Sequence, residues 1–560
     1  MKLKLTWLMT LFMAFVMQFS FAQEKTVTGT VTTATDGMPL PGASVIVKGT
    51  SRGQQTDFDG KYTIKVDQGD VLVISYVGMT PGEITIGAAN TYDIALEDAN
   101  TLDEVVIVGY GTTTKKAYAG TATVVKSENI ETKNFSNVSQ SLAGEAAGVT
   151  VINTSGQPGS TSTIRIRGFG SVNGNRAPLY VVDGVPFSGS LNSINPSDIK
   201  STTILKDATA TAIYGSRGAN GVILITTKGG TATESYIEVD VRTGINTQLI
   251  DRYEVITDPE EFIGYVWEAN VNREILGGNA DPVGTVNNTL FTTLINPVYN
   301  MWNVANGAEL IDPATGKVRA GVTRKFTPKN YAEEAFNPAY RTEANLRMGG
   351  GNEDVKYFVS AGFLDDSGYI INSGYKRYTT RLNINAKVKP WLKLGANLGY
   401  AYSETLANGQ TNGAENLFEF ADKMPPIYGI FLRDDNQDLV EDPIFGGFQY
   451  DYGSISAINN GFAPRARPAS DGLNPIASAL YDYVGTDRHE INGSFNANIN
   501  IAEGLTFETT FGAQYSNNVF KNTSNQFYGG AAPSGGTLFQ RDTETLTMNF
   551  LQLLRYRKEV

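Results

Sequence analysis

The sequence predicts a mainly β protein that combines a small β-sandwich, a mixed α/β domain and the start of a transmembrane antiparallel β-barrel. Its 560 residues include 59 Gly, 27 Tyr and 27 Phe, a composition that suits tight turns and amphipathic strands. Apolar and polar residues alternate over long stretches of the second half. After the N-terminal segment, no apolar run reaches the roughly 20 residues that a membrane-spanning helix requires.

Residues 1–22 are predicted to be a signal peptide. Lys2 and Lys4 precede a nearly continuous apolar run over 5–19, and small residues, Ser20 and Ala22, flank Phe21 at the cleavage site. The apolar run is shorter than the roughly 18 residues expected of a membrane-spanning helix. The chain contains no cysteine, which excludes a lipid anchor on a cysteine after cleavage. We therefore expect an exported protein.

The composition excludes several classes of function. The formal net charge of −12, which becomes −14 once Lys2 and Lys4 are removed, argues against nucleic acid as a partner. The absence of cysteine excludes disulfides, thiolate metal sites and thiol catalysis. His489 is the only histidine, so zinc enzymes and Ser-His-Asp hydrolases lose their usual ligands and base. The sequence predicts no enzyme, no cofactor and no metal site.

Residues 23–100 are predicted to form a compact β-sandwich. Short β-branched runs are separated by turn pairs such as Asp36-Gly37 and Asp59-Gly60, and seven or so strands fit into this length. The string DFDG also resembles part of a calcium loop. No Glu follows Asp57 and Asp59 at the required spacing, so a β-turn is the favoured interpretation.

Residues 101–114, TLDEVVIVGYGTTT, are predicted to be an exposed strand with its linker. The aliphatic run follows two acids and is closed by glycines; its nine residues are Asp103, Glu104, Val105, Val106, Ile107, Val108, Gly109, Tyr110 and Gly111. Proteins usually conceal a free strand edge, so an edge left in a linker indicates that a partner strand binds there. The alternative is one more strand of the preceding sandwich.

Residues 115–230 are predicted to form a mixed α/β domain. We expect a helix over 138–147, strands at 164–166, 179–182 and 222–226, and a helical turn at 196–199. Arg165 and Arg167 are two residues apart, which on one strand places both on the same face. The string GSRGANG lacks the Gly-Lys-Ser/Thr ending of a phosphate loop, so we reject nucleotide binding.

Residues 231–560 are predicted to form the first strands of a barrel. Alternating apolar positions run through 381–389, turn at Pro390-Trp391 and continue through 392–402, and a second hairpin turns at Glu503-Gly504. Strands of about 10 to 14 residues suit tilted membrane-spanning strands. Loops at 251–340 and 404–487 are long and polar, which predicts the extracellular side. His489 is expected to be a polar residue at a strand start, and the spacing around Asp434 does not fit an EF-hand.

Three strings resemble SusC/RagA-class TonB-dependent outer-membrane receptors of Bacteroidetes: PLPGASVIVKGTSRGQQTDFDGKYTI, LDEVVIVGYGT, and the pair IRIRGFG and LKDATATAIYGSRGANG. The resemblance implies a carboxypeptidase-regulatory-like domain at 23–100, a TonB box within 101–114 and a plug domain at 115–230. In this family the arginines that match Arg165 and Arg167 face the barrel, which favours a structural ion-pairing role for them over the alternative of a substrate site. Lys206, Asp207 and Arg217 are likewise expected to form fold-specifying salt bridges and not to be catalysts. The plug motif residues are Arg165, Arg167, Gly168, Asp183, Gly184, Lys206, Asp207, Tyr214, Gly215, Arg217 and Gly218.

The same resemblance implies a location and partners. We expect an outer-membrane protein, embedded in outer-membrane lipid, whose N-terminal domains face the periplasm. TonB with its ExbB/ExbD energy complex would pull the TonB box, and a SusD-like surface lipoprotein would cooperate in importing a glycan or peptide. A siderophore receptor and a surface adhesin or glycan-binding protein remain as alternatives. The sequence identifies neither the substrate, the oligomeric state nor any calcium bound by the extracellular loops.

The number of predicted strands does not match the predicted plug. We expect about eight spanning strands between 231 and 560, whereas a barrel whose lumen holds a plug has about 22. The interior of an eight-stranded barrel is filled by side chains. The expectation is therefore a chain that stops before its barrel is complete.

Overall fold

The computed structural model describes residues 25–34, 36–50, 52–77, 79–97, 105–108, 111–114, 122–168, 170, 174–207, 211–231, 234–408, 416–463, 465–467 and 470–558. Only the backbone is described at 105–108 and 111–114. The predicted signal peptide lies outside these residues. Chain contacts divide the protein into two compact units, Met1–Ala119 and Gly120–Val560.

The first unit contains the predicted β-sandwich, with seven strands in two sheets. One sheet has the order β4-β1-β7 and the other β3-β2-β5-β6. Alternating side chains such as Val27, Val45 and Ile74 are fully buried between them, as the period-two pattern predicts. The strands are β1 Lys25–Thr33, β2 Ser44–Val47, β3 Gly53–Gln55, β4 Lys61–Val66, β5 Val71–Ser75, β6 Gly82–Thr85 and β7 Ile94–Leu96.

A separate hairpin follows the sandwich strands in sequence. Strand β8 (Val105–Val108) pairs in antiparallel register with β9 (Gly111–Thr114), so that Val105 lies opposite Thr114. The two strands form a sheet of their own. The predicted strand at this position therefore exists, and one of its two edges is occupied by the chain itself.

The second unit begins with the mixed α/β domain, which we call the plug. Its five-stranded sheet has the order β10-β15-β16-β13-β14, and β11 pairs with β12 beside it. The predicted strands at 164–166, 179–182 and 222–226 are confirmed. The strands are β10 Ala122–Lys126, β11 Val149–Ile152, β12 Thr163–Ile166, β13 Leu179–Val182, β14 Val185–Phe187, β15 Ile199–Leu205 and β16 Val222–Thr227.

The helices of the plug are short, and one prediction fails here. The helix expected over 138–147 ends at Ser141, because the chain then turns through Gly144 and Gly148 at φ of 79° and 77°. Val138 and Leu142 are buried as a helical spacing would place them, which explains the error. The helical turn expected at 196–199 is confirmed. The helices are Ser127–Glu131 and Val138–Ser141, with 3-10 helices Leu191–Ser193, Pro196–Asp198 and Ala212–Gly218.

Eight long strands then form one antiparallel sheet in the order β17-β20-β21-β22-β23-β24-β25-β26. This confirms the number of predicted barrel strands and the turns at Pro390-Trp391 and Glu503-Gly504. The first three strands, 11 to 13 residues long, have the predicted length, and the other five, 16 to 20 residues long, exceed it. They are β17 Tyr236–Asn246, β20 Ala339–Gly351, β21 Val355–Ser367, β22 Ser373–Lys389, β23 Leu392–Ala407, β24 Tyr483–Ala502, β25 Leu505–Ser524 and β26 Thr537–Tyr556, with the hairpin β18 (Ile311–Asp312) and β19 (Lys317–Val318) between β17 and β20.

Burial in this sheet is reversed relative to a water-soluble protein. On the face against the plug, the inner face, Arg377 is 2 % exposed. On the opposite, outer face, Leu398 is 51 % exposed. His489 lies inside β24, not at its start as predicted, and its Nδ1 is 2.9 Å from the hydroxyl of Tyr400. Apolar side chains thus alternate outward and polar ones inward.

The two long loops are folded, not merely polar as predicted. Residues 247–338 and the described part of 408–482 share one core that includes Trp302, Tyr331 and Tyr428. No helix in the described part of the chain is long and apolar enough to cross a membrane. The helical segments are Pro259–Leu276, Pro282–Thr289, Leu290–Leu294 (π), Pro297–Tyr299 (3-10), Gly307–Leu310, Tyr331–Ala335, Leu417–Lys423, Ser454–Asn460, Pro475–Tyr481 and, before β26, Ala532–Ser534 (3-10).

Candidate functional site: the plug on the inner face of the sheet

Asp183 joins the plug to the inner face through the turn between β13 and β14. Asp183 and Gly184 have φ of 47° and 84°, the left-handed conformation that an Asp-Gly hairpin turn requires. The carboxylate accepts hydrogen bonds from the amide and hydroxyl of Thr227 at 2.9 and 2.8 Å. It also pairs with the guanidinium of Arg381 at 3.3 Å and accepts from Asn397. One plug carboxylate therefore neutralises a buried cation of the sheet.

A second set of contacts joins the segment before the helix Val138–Ser141 to strands β21 and β22. Arg377 donates to the carbonyl of Ser136 at 2.7 Å and to that of Asn192 at 3.2 Å. The Ser136 hydroxyl bonds to the carboxylate of Asp366. Arg377 and Asp366 are both almost fully buried, so these bonds form away from water, where they are stronger.

Glu131 holds the end of the helix Ser127–Glu131 between the plug and the sheet. Its carboxylate lies 2.5 Å from the ammonium of Lys228 and 3.5 Å from the guanidinium of Arg347. Its backbone carbonyl accepts a 2.8 Å bond from Arg242, which also donates to Asn134 at 2.9 Å. Strands β17 and β20 are thereby tied to one turn of the plug.

The turn at Asn195 and Asp198 completes the interface. Asn195 donates to the side chain of Asn345 at 2.7 Å, and Arg347 donates to the carbonyl of Ser197 at 3.3 Å. Asp198 is 3 % exposed. Burial raises the pKa of the Asp198 carboxyl, and the positive charge of Arg381 opposes that rise only in part.

A polar cleft of about 820 Å³ opens between the plug and strands β24, β25 and β26. Hydroxyl, amide and charged groups from both sides line it, including Arg165, Ser190, Arg488, Glu490 and Asn518. The backbone amide of Ser190 donates to Glu490 at 2.7 Å, which fixes one wall against the other. A lining of this kind suits a polar, hydrogen-bonding solute.

Two of the predicted motif arginines do not share a face. Strand β12 ends at Ile166, and Arg167 follows it with φ of 54°, in the left-handed region. Arg165 lines the polar cleft and donates to the carbonyl of Arg176 at 3.1 Å. The expectation of two arginines on one strand face is therefore wrong. Gly168, with φ of 94°, continues the turn that begins at Arg167.

The remaining motif residues build the plug itself. Lys206 donates to the carbonyl of Ala147 at 3.0 Å, and Tyr214 is buried. A Cβ at Gly218 would overlap the carbonyl of Thr211, which explains a glycine there. Gly215 has φ of 59° inside the 3-10 helix. Arg217 is exposed within this helix, and Asp207 directly follows Lys206.

The predicted TonB-contact residues are described only in part. Val105, Val106, Ile107 and Val108 form β8 and Gly111 begins β9. Asp103, Glu104, Gly109 and Tyr110 lie outside the described residues.

Sequence reasoning missed most residues of the interface. The one sequence pattern that could have indicated them is a polar residue at every second position of a barrel strand. In β22, Arg377, Thr379 and Arg381 are buried at such positions, and the neighbouring Leu382 is exposed. The missed residues are Glu131, Ser136, Asn195, Arg242, Asn345, Arg347, Asp366, Arg377, Arg381 and Asn397.

No metal centre is evident in the described part of the chain. Within it, no three His, Asp or Glu side chains come together in a way that could hold an ion. Asp57 accepts bonds from the amides of Asp59 and Lys61 at 3.0 and 2.8 Å, which is the predicted turn. Asp434 does the same for Asn436 and Asp438.

Comparison with known proteins assigns both units. A family profile described as "TonB-dependent Receptor Plug Domain" matches residues 114–222, and one described as "CarboxypepD_reg-like domain" matches residues 27–107. Among curated proteins, the TonB-dependent receptor P26 of Formosa agariphila is 33 % identical over 553 residues, which are 97 % of this chain and 48 % of that protein. The TonB-dependent receptor SusC of Bacteroides thetaiotaomicron is 30 % identical over 82 % of this chain and 41 % of its own length.

Among solved structures, the RagAB peptide importer in the "open-open" state is similar. It is 26 % identical with a TM-score of 0.61, over 81 % of this chain and 46 % of that chain. The "closed-closed" state gives 25 % identity and a TM-score of 0.60. The chain spans about half the length of the relatives it matches.

A plug seated on the polar face of a long-stranded antiparallel sheet agrees with the plug-domain profile of TonB-dependent receptors. Over most of its length the chain is similar to the SusC/RagA class of these receptors.

Proposed function

We propose that this chain supplies the TonB-contact strand, the plug and part of the barrel wall of an energised outer-membrane importer. The single observation that carries the proposal is the plug held by buried polar contacts on the inner face of a sheet whose outer face is apolar. Asp183, Glu131 and Ser136 anchor it at three separate places. A plug fixed in this way closes the pore until a force displaces part of it.

The outer face supports placement in a membrane. Leu392 and Tyr402 delimit an apolar stretch of β23, a separation of ten residues or about 34 Å along a strand. A strand tilted by about 40° then spans about 25 Å, the height of the apolar band of outer-membrane barrels. Trp391 is half exposed at one end, and Tyr378 and Tyr402 stack at the other, as an aromatic girdle would.

The proposed energy input acts through residues 103–111. TonB would add a strand to this segment, as β-augmentation adds a strand to an exposed edge. In the structure, β8 already pairs with β9, so TonB would use the other edge of β8 or displace β9. An isolated two-stranded hairpin is at best marginally stable, so displacing β9 from β8 costs little free energy. The proton motive force of the inner membrane, transmitted by TonB with ExbB/ExbD, would then pull the plug.

The proposed substrate is a polar nutrient, an oligosaccharide or a peptide, delivered with a SusD-like surface lipoprotein. The hydroxyl, amide and charged lining of the cleft favours such a solute over an apolar one. RagAB, whose structure is similar, is a peptide importer, and SusC is another related receptor. The N-terminal domains would face the periplasm, where TonB acts.

The test compares two substitutions at Val106 in a complete receptor that carries this chain. Val106→Pro removes a backbone donor from the contact strand, whereas Val106→Thr keeps a β-branched residue and the backbone bonds. We expect Val106→Pro to abolish uptake and TonB binding while substrate binding stays intact. Val106→Thr is the matched control and should retain uptake. Full uptake by Val106→Pro would contradict the proposal.

A further inference from the structure

The first residues of the plug differ in how many hydrogen bonds and ion pairs they make with the eight-stranded sheet. Strand β10 is an edge strand of the plug sheet and pairs with β15. Between residues 122 and 130, no described hydrogen bond or ion pair reaches the eight-stranded sheet. The side chain of Asn129, for example, bonds to Glu145 within the plug at 3.0 Å.

The next six residues, 131–136, make many polar contacts with the eight-stranded sheet. From Glu131 to Ser136 the chain contacts four neighbouring strands. Arg347 of β20 pairs with the Glu131 carboxylate at 3.5 Å, and Arg242 of β17 holds its carbonyl at 2.8 Å. Asp366 of β21 and Arg377 of β22 hold Ser136. Lys228, the residue after β16, adds a 2.5 Å ion pair from within the plug.

We propose that the contacts of residues 131–136 with the eight-stranded sheet stop a pull on the plug from travelling further along the chain. Glu131 fixes the position of this stop. A pull from the TonB-contact segment then frees residues 122–130 and halts at Glu131. This inference rests on the proposed function, since it concerns the path of that force.

The physical reason is a difference in what must break. Freeing β10 removes one edge strand of five residues and withdraws Val125 and Ile130 from the core. Moving Glu131 separates a partly buried carboxylate from Lys228 and Arg347 and breaks the bond from Arg242 to its carbonyl. Arg347 keeps Glu238 and Asp240 as partners at 3.3 and 3.7 Å, so the loss falls on the Glu131 carboxylate itself. Removing a partly buried carboxylate from two cations at once is costly because its charge is left without partners.

The stop limits how far the plug opens. Residues 122–130 can leave and return while the contacts of Asp183, Asn195 and Ser136 keep the rest of the plug in register. Local opening of a weakly held segment, with the remainder folded, is the behaviour expected of low-stability regions.

The experiment is single-molecule pulling of a complete receptor that carries this chain, purified in lipid nanodiscs. These 560 residues contain no cysteine, so handles can be attached at Lys116→Cys, after the β8–β9 hairpin, and at Glu503→Cys in the turn between β24 and β25. The first increment in contour length should correspond to nine residues, about 30 Å. Glu131→Gln should extend it to the contacts of Ser136, about 50 Å.

Two further variants make the outcome decisive. Glu128 is exposed on the same helix, so Glu128→Gln is the matched control and should leave the first contour-length increment unchanged. Lys228→Gln removes the plug-side partner and should lengthen the increment, which keeps the test valid if Glu131→Gln does not assemble. The proposal is overturned if both variants keep the original increment, or if the unaltered chain releases residues beyond Ser136 in its first event. The assay contains no TonB, so its failure leaves the Val106 test standing.

Discussion

At the scale of the residue, the stability of the interface between the plug and the sheet depends on ionisable side chains that are buried away from water. Asp198 in the plug is 3 % exposed, and burial raises the pKa of its carboxyl. A raised pKa means that the folded chain binds the proton more tightly than the unfolded chain does. The contribution of Asp198 to stability is therefore complete below about pH 4, the unfolded pKa, and is lost as the pH rises through the folded pKa.

Replacing Asp198 with Asn should remove this pH dependence. We expect Asp198→Asn to gain stability relative to the unaltered chain as the pH rises above about 4, by up to about 1.4 kcal/mol for each unit of pKa shift. Urea unfolding of the chain in detergent between pH 4 and 8 measures the difference. The same substitution at the exposed Asp59 is the control. A difference between the two chains that does not change with pH would refute this role for Asp198.

The sequence indicated the plug residue Asp183, but it did not indicate the barrel residues that bind it. Asp183 and Gly184 belong to a recognisable local string, and their turn follows from Asp-Gly chemistry. Arg381 and Asn397 lie about 200 residues further along the chain, so no local pattern links them to Asp183. Arg167 was misplaced because β12 ends one residue earlier and Arg167 has a left-handed φ, which no local sequence pattern indicated.

At the scale of the element, predictions succeeded where periodicity and turns are local. The two barrel hairpins were placed correctly by alternation around Pro390-Trp391 and Glu503-Gly504. The helix at 138–147 failed because buried residues can be four apart without a continuous helix. The folded loops were also missed. Their core brings together Trp302 and Tyr428 from two loops distant in sequence.

The connection between the plug and β17 has one position, Gly230, that tolerates no side chain. A Cβ added to Gly230 would overlap the backbone of Tyr357 in β21. We expect Gly230→Ala to cost about 1–3 kcal/mol of stability, since backbone must move to accept it. Thermal unfolding followed by circular dichroism measures the loss. Gly156→Ala is the matched control, because no atom lies within 4 Å of its added Cβ. Equal stability of both variants would contradict the close approach.

At the scale of the whole molecule, the account depends on which face of the sheet meets lipid. The inner face carries the plug and its buried charges, and the outer face carries exposed apolar side chains such as Phe495 and Ile491. The sequence predicted this alternation and the number of strands. It did not predict how the plug is anchored, since those contacts join distant segments.

The most direct test places spin labels on neighbouring residues of β24. In the cysteine-free chain, reconstituted in liposomes, Phe495→Cys and Ser494→Cys receive the same label. Collision rates with oxygen and with a water-soluble nickel chelate are measured by electron paramagnetic resonance. We predict that the label at 495 meets oxygen and that the label at 494 is shielded from lipid. Equal exposure of both labels to the nickel chelate would contradict a membrane-facing outer surface.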